Sequence, residues 1–555
     1  MTRRARPDRP SDAWEWLARR ERPLLAPSDA RAACRIAVVY PNTYHVGMSS
    51  LAMHALYRLL SGAPRVRCER AFLASRRPGH APTGSAGPVS FETQTPLARF
   101  DALTFSIAFE LDYLNVLRML DEAGVPPLSR HREHRHPLLM AGGVAPSANP
   151  QPVADIFDAI VIGEVEPIAD ALTKALSEAL PRARRSGNGR QAALDALAEL
   201  PGVYVPSRLE PGGAITKLTA EDLDEHETAS AILTPDTEFA NSFLVEVGRG
   251  CPRGCRFCLA GHIYRPFRQR SVPALLRMAD FGLEHTRRIG LVGSALSDYR
   301  RLEELVTALR AREADISTSS LRAESVTPTL LQALADSGQR QITLAPEAAT
   351  PRLRRLLGKP TPDDRFDALV DMGLARGIRA YKLYFMIGLP TETGEDAIAI
   401  ADCMRRLESA FPRARFSAAV SPFVPKPHTP FQWAPMPDVD ALDSRHRALR
   451  DAFAGLRSDL ALDSPRWAYI QAALSRGGPE LAEVLPATHQ SGGSARAFLR
   501  ALREHDLDPD AAFAPCAGPD APLPWDIVDA APGAGGVERA KQRLWRQWQQ
   551  GLTGA

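Results

Sequence analysis

Three cysteines, Cys251, Cys255 and Cys258, close the segment Val-Glu-Val-Gly-Arg-Gly-Cys-Pro-Arg-Gly-Cys-Arg-Phe-Cys that begins at Val245. Their spacing is C-x3-C-x2-C. Three thiolates hold three irons of a 4Fe-4S cluster, where a complete set uses four. The fourth iron is then open to an exogenous ligand. Gly248, Gly250 and Gly254 let the chain wrap tightly. Arg249, Arg253 and Arg256 bring positive charge toward a net-negative cluster, unless each simply faces solvent. Zinc is the alternative. A closed structural zinc site takes four ligands, often as two pairs; no second C-x2-C exists here, and His262 is the remaining candidate fourth ligand.

The cysteines follow the first strand of an alternating strand and helix series. Strands are expected at 243–247, 289–293, 316–320, 342–345, 380–387 and 415–420. Helical spacing fills the gaps at 273–284, 299–312, 327–337 and 395–409. Six such units predict a partial (β/α)6 barrel, whose active-site loops lie at the C-terminal ends of the strands. A first series precedes it, with strands at 36–40, 66–73, 103–109, 138–141 and 160–163, and helices at 50–61, 113–123 and 166–179. That alternation predicts a doubly wound parallel sheet with ligand loops at 41–49, 110–113, 142–150 and 163–166. The fold class expected is α/β: an N-terminal doubly wound sheet, a partial barrel and a small helical C-terminal region. The domain bounds are 1–30 (an arm with one short helix), 31–180 (the Rossmann-like sheet), 181–235 (a connector), 236–460 (the barrel) and 461–555.

C-x3-C-x2-C with an aromatic, Phe257, before the third cysteine resembles the signature of the radical SAM superfamily. The resemblance implies that Cys251, Cys255 and Cys258 bind the cluster and that S-adenosylmethionine (SAM) takes the open iron. Reductive cleavage of SAM would then yield a 5′-deoxyadenosyl radical. At the following strand ends it implies Gly293 and Ser294 near the SAM amino group, although the superfamily's usual Gly-Gly-Glu is absent. Arg322 would pair with the SAM carboxylate. Glu347 would contact the ribose or steady the site, and Gly388 with Pro390, in Gly-Leu-Pro, would frame adenine. For each of these the alternative is a buried ion pair or a plain turn. Lys382 and His428 are the candidates for work on substrate. His428 and Lys426 stand in 422–432, where repeated Pro stiffens a loop that either approaches the barrel mouth or braces the structure.

A Rossmann-like domain ahead of such a barrel resembles the cobalamin-binding class of the superfamily. Tyr-Pro-Asn-Thr-Tyr-His-Val-Gly-Met from Tyr40, Phe-Glu-Leu-Asp-Tyr from Phe109, Ala-Gly-Gly-Val from Ala141, Ile-Gly-Glu-Val-Glu from Ile162 and Leu-Pro-Trp-Asp from Leu523 are similar to one family with that architecture. Cobalamin is the cofactor this implies, with His45 as the ligand candidate. The base-off mode uses Asp-x-His-x-x-Gly, and here Asn42 stands at a different spacing from His45. A domain that keeps the shape without the cofactor is the alternative. His54 is read as helical surface. Methylthiotransferases of similar layout carry a second cluster on three N-terminal cysteines. Only Cys34 and Cys68 precede Cys251, so that route is not expected.

The rest of the chain narrows the field. Formal charge is +3, so no polybasic field announces nucleic acid or membrane. No run approaches about 18 consecutive apolar residues. The basic N-terminus lacks an apolar stretch and carries Asp8, Asp12 and Glu15, so a cytoplasmic location is expected. There are six lysines, Lys174, Lys217, Lys359, Lys382, Lys426 and Lys541; every other basic residue is Arg. Under such a bias a retained Lys marks a place where a compact ammonium suits better. The segment from Arg539, with Trp545 and Trp548, is a basic aromatic helix, fit for RNA or a ribosomal partner or, more plainly, for docking its Trp face onto the fold. The expected activity is a radical SAM modification of an unknown substrate, fed by an external electron donor. Cobalamin-dependent methyl transfer is one form, cobalamin-free modification another, and a metal-bound RNA- or ribosome-associated module the reading from a different class.

Overall fold

The computed structural model describes all residues except 1–9, 27, 29–31, 75–86, 187–188, 211, 319–320, 513, 532–535 and 555. The first sheet holds β1 (Cys34–Tyr40), β2 (Val66–Phe72), β3 (Ala102–Ser106), β4 (Leu138–Gly142), β5 (Ala159–Val161) and β6 (Val203–Tyr204) in the order β2-β1-β3-β4-β5-β6. All pairs are parallel except β5 with β6. Helices α1 (Leu51–Gly62), α2 (Asp112–Glu122) and α3 (Ala169–Ser186) are among those that connect and flank the strands. The run Cys-Arg-Ile-Ala-Val-Val-Tyr of β1 is almost wholly buried, as a central strand covered on both faces requires.

The second series begins with β7 (Phe243–Arg249) and continues through α4 (Val272–Leu283), β8 (Arg288–Gly293), α5 (Leu302–Ala311), β9 (Asp315–Thr318) and α6 (Pro328–Asp336). It runs on through β10 (Gln341–Glu347), α7 (Asp363–Leu374), β11 (Ala380–Ile387), α8 (Gly394–Ala410), β12 (Arg415–Pro422), α9 (Val439–Ala452) and β13 (Asp459–Leu462). Strands β7-β8-β9 and β10-β11-β12-β13 pair in parallel, and a Leu321–Leu344 bridge joins the two groups. The six expected strands are present in the partial barrel, and β13 adds a short strand at its outer edge. Helix starts carry their own signals. Thr393 Oγ1 accepts the Asp396 N–H while the Asp396 carboxylate accepts the Thr393 N–H, a capping box at α8.

His54 departs from expectation, and both ends of the chain, where described, pack onto the fold. The N-terminal arm is tied down where it is described: Pro10–Ala18 is helical, Arg22–Pro23 pairs with Ile232–Leu233, and Glu21 makes a buried ion pair with Arg70 at 2.7 Å. His54 is buried, not surface. Its Nδ1 accepts the Ala231 N–H and its Nε2 donates to Met48 O. The C-terminal region serves both domains. Helices α10 (Pro465–Arg476), α11 (Leu481–Gln490) and α12 (Ala495–Glu504) place Tyr469, Ile470, Leu481, Val484 and Phe498 in one core of the N-terminal sheet. Helix α13 (Gly536–Thr553) packs Leu544 and Trp548 with Phe431, Trp433 and Trp525. Its Trp face is docked, and Lys541 is buried against Asp526 at 2.7 Å.

Candidate active site

β7 delivers the cysteines. Gly250 adopts φ +82°, and a Cβ there would stand 2.3 Å from Tyr264 O, so the turn into Cys251 requires glycine. Cys255 is buried; Cys251 and Cys258 are half-buried. The Cys258 N–H donates to Cys255 O, the Gly261 N–H to Cys258 O and the Arg256 N–H to Leu357 O. His262 Nε2 donates to Cys255 O, 3.1 Å away, and burial lowers its pKa to about 4. Its ring braces the loop.

Of the loop's arginines, Arg249 is largely buried and Arg256 half-buried, while Arg253 is 44% exposed. Each ties it to a different element. Arg249 reaches Glu246 (2.8 Å), Glu166 (2.5 Å) and Glu164 (3.1 Å), the last two in the loop after β5 of the N-terminal sheet. Arg268 also binds Glu164, at 2.6 Å. Arg253 pairs with Asp298 after β8, at 2.5 Å. Arg256 donates to the carbonyls of Leu356 (2.7 Å), Arg355 (3.0 Å) and, on α13, Gln547 (3.0 Å). The Ile-Gly-Glu-Val-Glu motif therefore clasps the barrel.

Among the described residues, no three His, Cys, Asp or Glu side chains converge on a single ion. The three thiols nevertheless feel one another. Burial pushes Cys258 up to about 11, with the Cys255 and Cys251 sulfurs and the Glu347 carboxylate adding to it. Cys251 is raised too, first by burial and then by Cys255. The donor set fits a cluster, in which each thiolate would take its own iron, and bonding to iron would favour the thiolate forms.

The strand ends bring several candidates beside these thiols. Arg322, after β9, holds Nη1 3.9 Å from Cys255 Sγ and faces Glu324 (3.5 Å) and Asp298 (3.9 Å). Ser319 and Ser320 before it lie outside the described residues. Glu347 ends β10 at φ +68° and pairs with buried Lys359 at 2.9 Å. Gly293 ends β8 against Gly248, and Ser294 is exposed. Gly388 turns at φ +78° and donates its N–H to Glu392 (2.8 Å), whose carboxyl burial raises to about 7; Pro390 is buried in the same turn. Lys382 sits farther down β11, its Nζ 5.0 Å from the Tyr384 ring.

Two candidates lie elsewhere. The 422–432 loop braces the two domains. Lys426 Nζ donates to Glu110 (2.6 Å) after β3 and to Ser475 (3.0 Å) on α10, and His428 Nε2 meets Ala148 O at 3.0 Å. Burial lowers the His428 pKa to about 4. His45 faces Asp236 O (3.2 Å) and Glu238 (3.9 Å) in the connector. The switch point of the sheet lies between β1 and β3. In the loops that leave these strands, Asn42 donates to Asp112 (3.0 Å), whose carboxyl burial pushes up to about 6, and Val46 and Phe109 are 41% and 42% exposed. His45 would have to leave its partners to reach a metal. The sequence reading missed Lys359 and Asp298; the rarity of lysine was the available signal for the first.

Residues 245–404 match the family model described as "Radical SAM superfamily", and 52–206 the one described as "Radical SAM proteins, N-terminal". The uncharacterized protein MJ0966 of Methanocaldococcus jannaschii is 29% identical over 406 residues, 72% of this chain and 79% of that protein. TsrM from Kitasatospora setae, a radical SAM methyltransferase solved with cobalamin and a [4Fe-4S] cluster, is 15% identical with a TM-score of 0.48, covering 93% of this chain and 99% of that one. OxsB, a cobalamin-dependent radical enzyme solved with aqua-cobalamin and SAM, is 13% identical with a TM-score of 0.49, covering 94% and 79%. With both family models matched in order along it, the chain belongs to the radical SAM superfamily and is an enzyme of that group, which uses a 4Fe-4S cluster and SAM.

Proposed function

We propose that Cys251, Cys255 and Cys258 hold the cluster and that the enzyme methylates a substrate seated in the barrel, with cobalamin carried at the β1/β3 switch point. The observation that carries the first part is the thiol trio at the end of β7, anchored by Arg249, Arg253 and Arg256. Cluster and SAM, when bound, supply a 5′-deoxyadenosyl radical on reduction. Arg322, beside Cys255, orients the SAM carboxylate; Gly293 and Ser294 receive its amino group; Gly388 and Pro390 frame adenine. Glu347, held by Lys359, serves the ribose hydroxyls.

The cobalamin part rests on the parallel sheet order and on Val46 and Phe109 beside its switch point. The Glu110–Lys426 pair would fix the loop after β3 relative to the barrel. His45 is not needed as a ligand in this reading. Loading the full chain anaerobically with hydroxocobalamin tests it. Retention of about one cobalt per chain after gel filtration, weakened in a Phe109→Asp variant, is expected. No retained cobalt would move the weight to cobalamin-free radical chemistry.

A further inference from the structure

Among the described residues, Lys382 in the barrel has no carboxylate partner. Along β11, Tyr381, Leu383, Phe385 and Ile387 are buried in the core shared with α7 and α8, and the Tyr381 hydroxyl donates to Val370 O on α7. A strand alternates its faces, so Lys382 and Tyr384 point to the concave side. Tyr384 is 37% exposed there, and Lys382 is half-buried. Thr343 and Ser417 flank Lys382 on the neighbouring strands, and Ala419 flanks Tyr384. The strand face around these two long side chains is thus lined by small ones.

The surrounding charges sharpen this. Lys359 pairs with Glu347, and Arg322 faces Asp298 and Glu324. Among the described residues no carboxylate pairs with Lys382, whose Nζ lies 5.0 Å from the Tyr384 ring centroid. A ring face lends an ammonium only part of the stabilisation a carboxylate would. A half-desolvated ammonium, two hydroxyl donors and an open aromatic face together form a receptor for an oxyanion attached to a flat or apolar body.

We propose that Lys382, Thr343, Ser417 and Tyr384 form an anion subsite inside the barrel, and that the substrate carries a carboxylate or phosphate group bound there. This deepens the preceding reading, since it names the class of substrate that the barrel takes. Lys382 is a binding group that fixes the substrate by its anionic end; Tyr384 covers the adjoining part of its body.

The test uses the full-length protein without iron or SAM. Trinitrobenzenesulfonate, an anionic aromatic amine reagent, is applied briefly, and modified lysines are located by peptide mass. Lys174, exposed on α3, is the internal control. Lys382 is expected to react. Either inorganic phosphate or benzoate at about ten times its dissociation constant should slow that reaction about tenfold, with Lys174 unaffected. Protection by phosphate alone identifies a phosphate group, and protection by benzoate a carboxylate. In Tyr384→Leu the protection by benzoate should fall. Lys382 that does not react, that neither anion protects, or that is protected no more than Lys174 overturns the subsite. Failure of the loaded enzyme to cleave SAM would strike the preceding reading and leave this result standing.

Discussion

Replacing Arg249 with Met should loosen both the domain junction and the cysteine loop. The side chain is largely buried, 11% exposed, and touches three carboxylates on two domains. After substitution Glu164 keeps Arg268 and Glu246 keeps Arg270, at 2.6 and 2.8 Å, so Glu166 alone loses its cation. Removing one partner of a buried ion pair costs about 3–5 kcal/mol, and with two of three carboxylates still served the lower figure applies. About 3 kcal/mol corresponds to a fall in melting temperature of roughly 6–12 °C for a domain of 150–250 residues. Differential scanning calorimetry reads the shift. Alkylation of Cys251 in the iron-free protein reads the loop, and its rate should rise because Arg249 lies two residues upstream. Arg249→Lys should rescue little, since an ammonium does not span three carboxylates with a planar fork. The effect should also shrink in acid. Burial disfavours ionised Glu164, but hydrogen bonds from Arg268 and the charges of Arg249 and Arg268 outweigh it and hold its pKa below the usual range. Its contribution is therefore present above the unfolded carboxylate value and lost as pH falls through the folded one. An Arg249→Met protein that melts within about 2 °C of wild type, with unchanged Cys251 reactivity, would refute the clasp.

Gly551→Leu should displace Arg256, because a Cβ there stands 2.9 Å from Arg256 Cδ; faster loss of iron to a chelator than in wild type is the expected readout. Gly143→Ala should cost about 1–3 kcal/mol or more, since Gly143 adopts φ +110° and its Cβ would meet Ile107 O at 2.3 Å; denaturant unfolding of the variant checks this. Burial lowers the pKa of both His54 and His428 to about 4. The unfolded chain then binds more protons between about pH 6.5 and 4, so stability should fall as pH drops through that window, by up to about 3 kcal/mol per unit for the two together. His54→Gln should flatten the dependence measured by unfolding at a series of pH values.

What the sequence disclosed follows the physics of each element. Strand 380–387 coincides with β11, because alternating Tyr, Leu, Phe and Ile mark its core face. The third strand was drawn too long: β3 ends at Ser106, where the Ile107 N–H turns to Gly142 O. β13 was missed because Asp-Leu-Ala-Leu is short and half-exposed, so its pattern is faint. The cysteine loop was legible from spacing alone. Its anchors were not, since the ties from Arg249 to Glu164 and from Arg256 to Gln547 span 85 and 291 residues of chain. The partners of Lys426 were hidden for the same reason. His54 was misread because its two backbone partners, Met48 O and Ala231 N, come from separate segments and leave no local pattern.

The central claim is that Cys251, Cys255 and Cys258 hold the cluster at which SAM is cleaved. Anaerobic reconstitution with iron and sulfide, followed by dithionite and SAM, tests it most directly. About four irons per chain and 5′-deoxyadenosine in the wild type, with both lost in Cys255→Ala that still melts cooperatively, is the predicted result. Full iron content and unchanged 5′-deoxyadenosine in Cys255→Ala would contradict it.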